Sequence, residues 1–94
     1  MESILQKNKM CYVCGCCNGL ELHHCIYGTA KRELSEKYGL TIWLCREHHR
    51  TGKNAVHFYK PLDENIKRYA QEQAMKHYKW NIEDWMRIFR RNYL

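Results

Sequence analysis

Two pairs of potential metal ligands, each separated by two residues, constrain this sequence more than any other feature. Cys11 and Cys14 form the first pair, and Cys45 and His48 form the second. Structural zinc sites usually have four thiolate or imidazole ligands in a closed tetrahedron. The matched spacing therefore predicts that these four residues bind one structural Zn²⁺ ion.

The remaining cysteines leave alternatives open. Cys16 and Cys17 follow so closely that either could replace Cys14 as a ligand, whereas Cys25 is expected to be a small buried residue. A redox pair of the thioredoxin type would open a helix within a βαβ unit, and the sequence predicts no such unit. The first residues lack the apolar core of a secretion signal. We therefore expect a cytoplasmic protein whose thiols stay reduced and bind metal.

The length and charge of the chain narrow the class of protein. Its 94 residues are enough for one small domain, and such a domain often needs a metal or a disulfide for stability. The net charge of +6 favours a polyanionic partner, because neutralising phosphates releases condensed counterions. No apolar run reaches the roughly 18 residues that cross a bilayer, so no membrane partner is expected.

The pattern up to residue 60 predicts an α+β core. Residues 20–23 alternate between apolar and polar, as in a half-buried strand. Residues 29–38 have a helical composition with Gly39 as the stop, and residues 40–44 favour a second strand. The other local predictions are a helical turn over residues 2–9, a tight turn over 11–15, a hairpin turn at Asn18-Gly19 and a loop over 50–60.

Two further helices are predicted after Pro61. Asp63 is expected to cap the first helix and Asn81 the second. The apolar residues of both recur at three- and four-residue steps, which indicates one buried face on each helix. The prediction is one α+β domain over residues 1–94, with a zinc-knuckle core over 11–60 and C-terminal helices over 61–94. The predicted apolar faces consist of Ile66, Tyr69, Ala70, Ala74 and Tyr78 on the first helix and Ile82, Trp85, Ile88 and Phe89 on the second.

Four histidines remain once His48 is assigned to zinc. His23 and His24 stand at the end of the first predicted strand, and His49 and His57 follow the second ligand pair. Adjacent strand residues point to opposite faces. The pair His23-His24 therefore favours two different roles, one as a metal ligand and one as a base.

Taken together, these motifs resemble the HNH family of ββα-metal endonucleases, in particular the small HNH proteins of phages and prophages. The resemblance is carried by Cys-x-x-Cys at residue 11, Leu-Glu-Leu-His-His at residue 20, Leu-Cys-x-x-His-His at residue 44 and the following His57. It covers residues 11 to about 57 and implies a ββα-metal core. It also implies a protein that acts inside a bacterial or phage-infected cell.

The resemblance assigns a role to each free histidine. His23 matches the family's first-strand metal ligand, and His24 matches the general base that activates water. His49 matches a ligand on the family's helix. Lys53 stands where family members often have a further ligand, so the third ligand here is expected to be His57. Three imidazoles favour Ni²⁺, Mn²⁺, Co²⁺ or Zn²⁺ over Mg²⁺ as the catalytic divalent metal.

The substrate that the resemblance implies is DNA, cut by hydrolysis of a phosphodiester bond. Arg50, Lys53, Lys31 and Arg32 are the expected phosphate contacts, because they flank the histidines in sequence. One active site per chain would require a homodimer or two encounters to cut both strands. The alternative is a zinc-stabilised nucleic-acid-binding module without hydrolytic activity, which would leave His23, His24, His49 and His57 without a role.

Overall fold

A two-stranded antiparallel sheet and three α-helices form the protein, as seen in a computed structural model that describes all of residues 1–94. This architecture agrees with the predicted α+β class. In chain order the elements are β1 (Leu20–His24), α1 (Lys31–Tyr38), β2 (Thr41–Cys45), one π-helical turn (Glu47–Thr51, the π-turn), α2 (Lys60–Tyr78) and α3 (Ile82–Phe89).

The sheet sets the distance between the two ligand-rich parts of the sequence. Leu20 pairs with Cys45 and His24 pairs with Thr41. Cys45 therefore lies beside the start of β1, while His23 and His24 lie towards its end. The π-turn follows β2 after the single residue Arg46 and leads the chain back towards His23.

Helix α1 connects the strands and is tied to the chain that follows β1. Ser35 is completely buried, and its hydroxyl accepts a hydrogen bond from the Ile26 N–H (3.1 Å) and donates one to the Ile26 carbonyl (2.6 Å). The helix ends at Gly39, which has the positive φ of 72° that was expected of a helix stop.

The N-terminal segment differs from its prediction. No helical turn forms over residues 2–9, because the Ser3 hydroxyl accepts hydrogen bonds from the N–H groups of Leu5 and Gln6 and stabilises a bend instead. The Gln6 side-chain oxygen then accepts a hydrogen bond from the Trp43 N–H (2.8 Å). The segment thereby covers an edge of β2.

Two turn predictions are also corrected by the structure. Asn18-Gly19 does not connect two paired strands. It leads from the tight turn over residues 11–15 (the knuckle turn) into β1, whose partner β2 lies beyond α1. The predicted loop over residues 50–60 is shorter than expected, since the π-turn continues to Thr51 and α2 already begins at Lys60.

The C-terminal helices pack against the sheet and α1 through the faces that the sequence predicted. Ile66, Ala70 and Ala74 of α2 are buried, as are Trp85 and Phe89 of α3. The rings of Trp85 and Phe89 stack with centroids 4.2 Å apart. One hydrophobic core therefore joins both helices to the strands.

The two predicted helix caps have different outcomes. Asn81 does cap α3, in a reciprocal capping box with Asp84. The prediction for Asp63 is wrong, because α2 begins three residues earlier, after Tyr59, and no side chain caps it. The Asp63 carboxylate instead accepts hydrogen bonds from Lys67 (2.8 Å) and from the Tyr27 hydroxyl (3.1 Å).

None of the helices is long and apolar enough to cross a membrane.

Gly39→Ala is expected to lower the free energy of unfolding by about 3 kcal/mol, as measured by urea denaturation. The backbone at this position has a positive φ, which strains any residue with a side chain. A Cβ here would also lie only 2.6 Å from the Glu2 carbonyl oxygen. Gly19→Ala is the matched control, because Gly19 also has a positive φ but nothing lies within 4 Å of its Cβ position. The control should cost about 1 kcal/mol, and equal costs would contradict the clash.

Candidate functional site

The first cluster of potential ligands consists of the four residues that the sequence predicted. Their ligand atoms all lie within 4.8 Å of one another. The Sγ atoms of Cys14 and Cys45 are 3.9 Å apart, and His48 Nδ1 lies 3.2 Å from Cys45 Sγ and 3.8 Å from Cys11 Sγ. A tetrahedron with zinc–sulfur bonds of about 2.3 Å has sulfur–sulfur edges of about 3.8 Å. The Cys3His cluster could therefore hold one metal ion such as zinc.

Two turns bring these ligands together. Cys11 and Cys14 lie in the knuckle turn, which is closed by a hydrogen bond from the Gly15 N–H to the Cys11 carbonyl (2.8 Å). The Tyr12 N–H donates to the Trp43 carbonyl (2.8 Å) and fixes the knuckle turn beside β2. Cys45 ends β2, and His48 stands in the π-turn.

Cys11 is prepared by its surroundings to act as a thiolate. Burial of the Cys11 thiol acts to raise its pKa, but hydrogen bonds from backbone N–H groups, including those of Cys14 and Cys45, oppose this effect and bring the pKa down to about 6. A thiolate is the form that binds metal. The local backbone therefore favours the ligand form before any ion binds.

The other cysteines lie outside this cluster. Cys16 Sγ faces the Asn18 carbonyl at 3.6 Å, and Cys17 Sγ faces the Gly15 carbonyl at 4.0 Å. The structure thus favours Cys14 over both as the fourth ligand. Cys25 is completely buried, as expected, and burial raises the pKa of its thiol.

A second cluster is formed by His23, His49 and His57, whose ligand atoms also lie within 4.8 Å of one another. The Nε2 atoms of His49 and His57 are 3.3 Å apart. The His23 ring centroid lies 5.3 Å from the centroids of both other rings. The structure therefore brings together the three histidines that the sequence nominated as ligands of a second ion.

The chemistry of His23 fits a metal ligand. Its side chain is buried, with the residue only 2 % exposed, and its Nε2 atom has no hydrogen-bond partner. A buried polar atom without a partner is costly, and a bound cation would satisfy it. Burial lowers the pKa of His23 to about 3, and the neighbouring His49 and His57 act in the same direction. The imidazole is therefore neutral at physiological pH, which is the form that binds metal.

His57 reaches the cluster because the chain after the π-turn folds back. The Val56 N–H donates to the His48 carbonyl (2.7 Å), and the Gly52 N–H donates to the Glu47 carbonyl (2.9 Å). A Cβ at position 52 would lie 2.7 Å from that same carbonyl oxygen. The close turn therefore requires glycine, and it returns His57 to His49 despite eight residues of separation.

Glu21 holds His49 in place, a role that the sequence analysis missed. Its carboxylate lies 2.9 Å from His49 Nδ1 and accepts three hydrogen bonds from Arg50, of which the shortest measures 2.8 Å. These contacts, first Arg50 and then His49, lower the pKa of Glu21 to about 2. A carboxylate behind one ring nitrogen orients the other towards a metal. The period of two along β1 was an available signal, since it places Glu21 on the same face as His23.

The histidine cluster opens into a pocket of about 220 Å³. His24 lines this pocket together with His23, although strand alternation suggested opposite directions. Its Nε2 atom lies 2.7 Å from a carboxylate oxygen of Glu36 on α1. No sequence signal linked Glu36 to this site, because the contact depends on how α1 packs. The lining residues are Leu22, His23, His24, Tyr27, Arg32, His49 and His57.

Tyr27 is a further pocket residue that the sequence analysis missed. Its ring lies 5.8 Å from His23 and 5.3 Å from His57, measured between centroids. The ammonium group of Lys67 lies 4.5 Å from the centroid of the Tyr27 ring. Tyr27 and the Asp63–Lys67 ion pair therefore support the histidine cluster from the side of α2.

The four expected phosphate contacts differ in their surroundings. Arg32 is exposed, lines the pocket and forms no ion pair. Arg50 is exposed as well, but it is paired with Glu21. Lys31 begins α1, and Lys53 lies exposed in the turn after Gly52; neither lines the pocket. Arg32 is therefore the cation best placed to meet a ligand there.

Comparison of the chain with protein-family models, curated proteins and solved structures gave no match. The resemblance to HNH endonucleases therefore remains an interpretation of the motifs. Independently of that resemblance, the structure contains two separate clusters of potential metal ligands. The histidine cluster lies beside a pocket that Arg32, which forms no ion pair, also lines.

Cys14→Ser is expected to remove tightly bound zinc and to lower the melting temperature, because the binding free energy of a structural metal contributes to folding. Metal content after dialysis and thermal denaturation measure the two effects. Cys16→Ser and Cys17→Ser are the matched controls and should retain one zinc ion at this site. Zinc loss in either control, with retention in Cys14→Ser, would show that the fourth ligand is misassigned.

Proposed function

We propose that this protein is a metal-dependent endonuclease of the HNH type that hydrolyses phosphodiester bonds in DNA. The observation that carries the proposal is the convergence of His23, His49 and His57 beside His24 in one pocket. A purely structural role would not require three clustered imidazoles beside a cavity, one of which (His23) has a buried ring nitrogen without a hydrogen-bond partner. Arg32 at the same pocket supplies a cation for a phosphate group.

The two clusters of potential metal ligands would hold two different metal ions. Cys11, Cys14, Cys45 and His48 would hold a structural Zn²⁺, for which a closed set of thiolates and imidazole is typical. The three-histidine cluster would hold a catalytic divalent ion and leave coordination positions open. When bound, that ion supplies positive charge that stabilises the negative charge developing on the phosphate and the leaving oxygen.

His24 acts as the general base in this proposal. A neutral imidazole near pH 7 can accept the proton of an attacking water. His24 lines the pocket beside His23 but is not one of the three clustered histidines, so it would lie near the ion without being a ligand. The adjacent histidines thus divide the two roles, and the buried His23 takes the one that requires a fixed neutral ring.

Arg32 binds the phosphate in this proposal, with Lys31 and Lys53 extending the basic surface. Arg32 forms no ion pair with a carboxylate, so its guanidinium can donate two parallel hydrogen bonds to a phosphate. Arg50 has a different role. Its side chain neutralises Glu21, which itself holds His49, and it therefore supports the metal cluster in addition to any contact with DNA.

His24→Ala is expected to lower the rate of supercoiled-plasmid nicking by about 10²–10⁴-fold, because it removes the general base. The experiment compares wild type and variant with added Mn²⁺, Ni²⁺, Co²⁺ or Mg²⁺. The wild type should be least active in Mg²⁺, which prefers oxygen ligands. His77→Ala is the matched control, since His77 is exposed on α2 and does not line the histidine pocket.

If neither the wild type nor the variant nicks DNA while both bind it equally, the endonuclease proposal fails. The non-catalytic zinc-stabilised nucleic-acid-binding module is then the better interpretation. Zinc content and circular dichroism of each variant show whether a loss of activity reflects a loss of folding.

Arg32→Ala is expected to weaken DNA binding and to reduce the slope of log Kd against log salt concentration by about 0.9, the value for one lost phosphate contact. Fluorescence anisotropy with a labelled duplex measures this in zinc-loaded protein. Arg68→Ala is the matched control, because Arg68 is also exposed and unpaired but lies on α2 outside the pocket. Equal effects of the two changes would mean that binding reflects net charge alone.

A further inference from the structure

The contact between His24 and Glu36 has a consequence for the chemistry of the pocket. His24 Nε2 lies 2.7 Å from Glu36 Oε2, and this is the one hydrogen bond that the His24 ring makes within the protein. Its Nδ1 atom therefore has no protein partner. The ring has one nitrogen committed to a carboxylate and one nitrogen free.

The identity of the partner determines which nitrogen carries the proton. An ionised carboxylate can only accept hydrogen bonds, so Nε2 must be the donor. A neutral imidazole has a single N–H, and the lone pair that can accept a proton is then on Nδ1. A hydrogen bond to one ring nitrogen fixes the state of the other in the same way in metal-bound and catalytic histidines.

The position of Glu36 is fixed by the fold. Glu36 follows the buried Ser35, whose hydroxyl is hydrogen-bonded to both backbone groups of Ile26. The Leu40 N–H donates to the Ser35 carbonyl, and the Cys25 N–H donates to the Leu40 carbonyl. These bonds tie this turn of α1 to the residues directly after His24, so the carboxylate and the imidazole are held on one framework.

We propose that Glu36 is the positioning residue of His24, which holds the imidazole as the Nε2–H tautomer with Nδ1 free to accept the proton of the attacking water. This inference rests on the proposed function for the role of the free nitrogen, but the tautomer itself does not. The competing explanation is an ordinary surface ion pair, since the Glu36 side chain is 51 % exposed. Such a pair would contribute little to stability, and replacing Glu36 would leave the tautomer of the neutral ring unchanged.

Glu36→Lys and Glu36→Gln separate the two explanations in a cleavage assay. Lysine can only donate a hydrogen bond and so opposes the Nε2–H tautomer, whereas the glutamine carbonyl can still accept from Nε2. We expect Glu36→Lys to lower kcat about 10²-fold, the scale of a misplaced catalytic group, without weakening DNA binding. Glu36→Gln should retain most of the activity.

Glu33→Lys is the matched control for charge. Glu33 lies on the same helix and beside the same surface as His24 and Glu36, but it makes no hydrogen bond to His24. The Glu33→Lys variant should bind DNA as tightly as the Glu36→Lys variant does, and it should cut DNA at the wild-type rate. Equal kcat values in Glu36→Lys and Glu33→Lys would overturn the positioning role.

Long-range ¹⁵N–¹H correlation spectra of zinc-loaded protein read the tautomer directly, at about pH 8, where an ordinary imidazole is neutral. The expected result is a protonated Nε2 and an unprotonated Nδ1 in the wild type and in Glu36→Gln, with a shift towards the opposite tautomer in Glu36→Lys. The same tautomer in all three proteins would overturn the inference.

The two readouts distinguish this inference from the proposed function. If no variant and no wild-type protein cuts DNA, the proposed function fails, and the spectra still decide whether Glu36 sets the tautomer. If the wild type cuts DNA and the spectra show no dependence on residue 36, the proposed function stands and Glu36 is only a surface partner. Circular dichroism and zinc content confirm that each variant is folded.

Discussion

The convergence of two distant chain segments at the Cys3His cluster is the constraint on which the rest of the structure depends. Cys11 and Cys14 come from a turn before β1, whereas Cys45 and His48 come from the end of β2 and the π-turn. A chain of this size has a limited core, so a metal ion bound by these four residues would add to the Tyr12–Trp43 hydrogen bond that fixes the knuckle turn to the sheet. Once His48 is fixed, the direction of the next residue, His49, is fixed as well.

The histidine pocket is built outward from this anchor by contacts with charged side chains. Glu21 holds His49 from behind, Glu36 holds His24, and the Tyr27–Asp63–Lys67 group supports the remaining rings. Glu21 lies on β1, Glu36 on α1, and Asp63 and Lys67 on α2. The pocket is therefore a product of the whole fold, and the C-terminal helices contribute to it through Asp63 and Lys67 even though the family resemblance does not extend to them.

The sequence was sufficient to predict the structural features that depend on the spacing of residues close together in the chain. The two ligand pairs, both strands, the stop at Gly39 and the cap at Asn81 follow from patterns a few residues long. The N-terminal segment was mispredicted because its backbone is satisfied by the side chains of Ser3 and Gln6 and by contacts with β2. Partners that are set by tertiary packing, such as Glu36, could not be found, since nothing in the composition of α1 indicates which residue faces His24.

The direct succession of His48 and His49 limits how the length of such a chain can vary. One histidine belongs to each cluster, so an added or deleted residue between Cys45 and His49 would remove a ligand from one centre or the other. The exposed residues 28–30 before α1 carry no ligand and meet no such restriction. In proteins that share this arrangement, insertions should accumulate in the connection to α1, while the five residues from Cys45 to His49 keep a constant length.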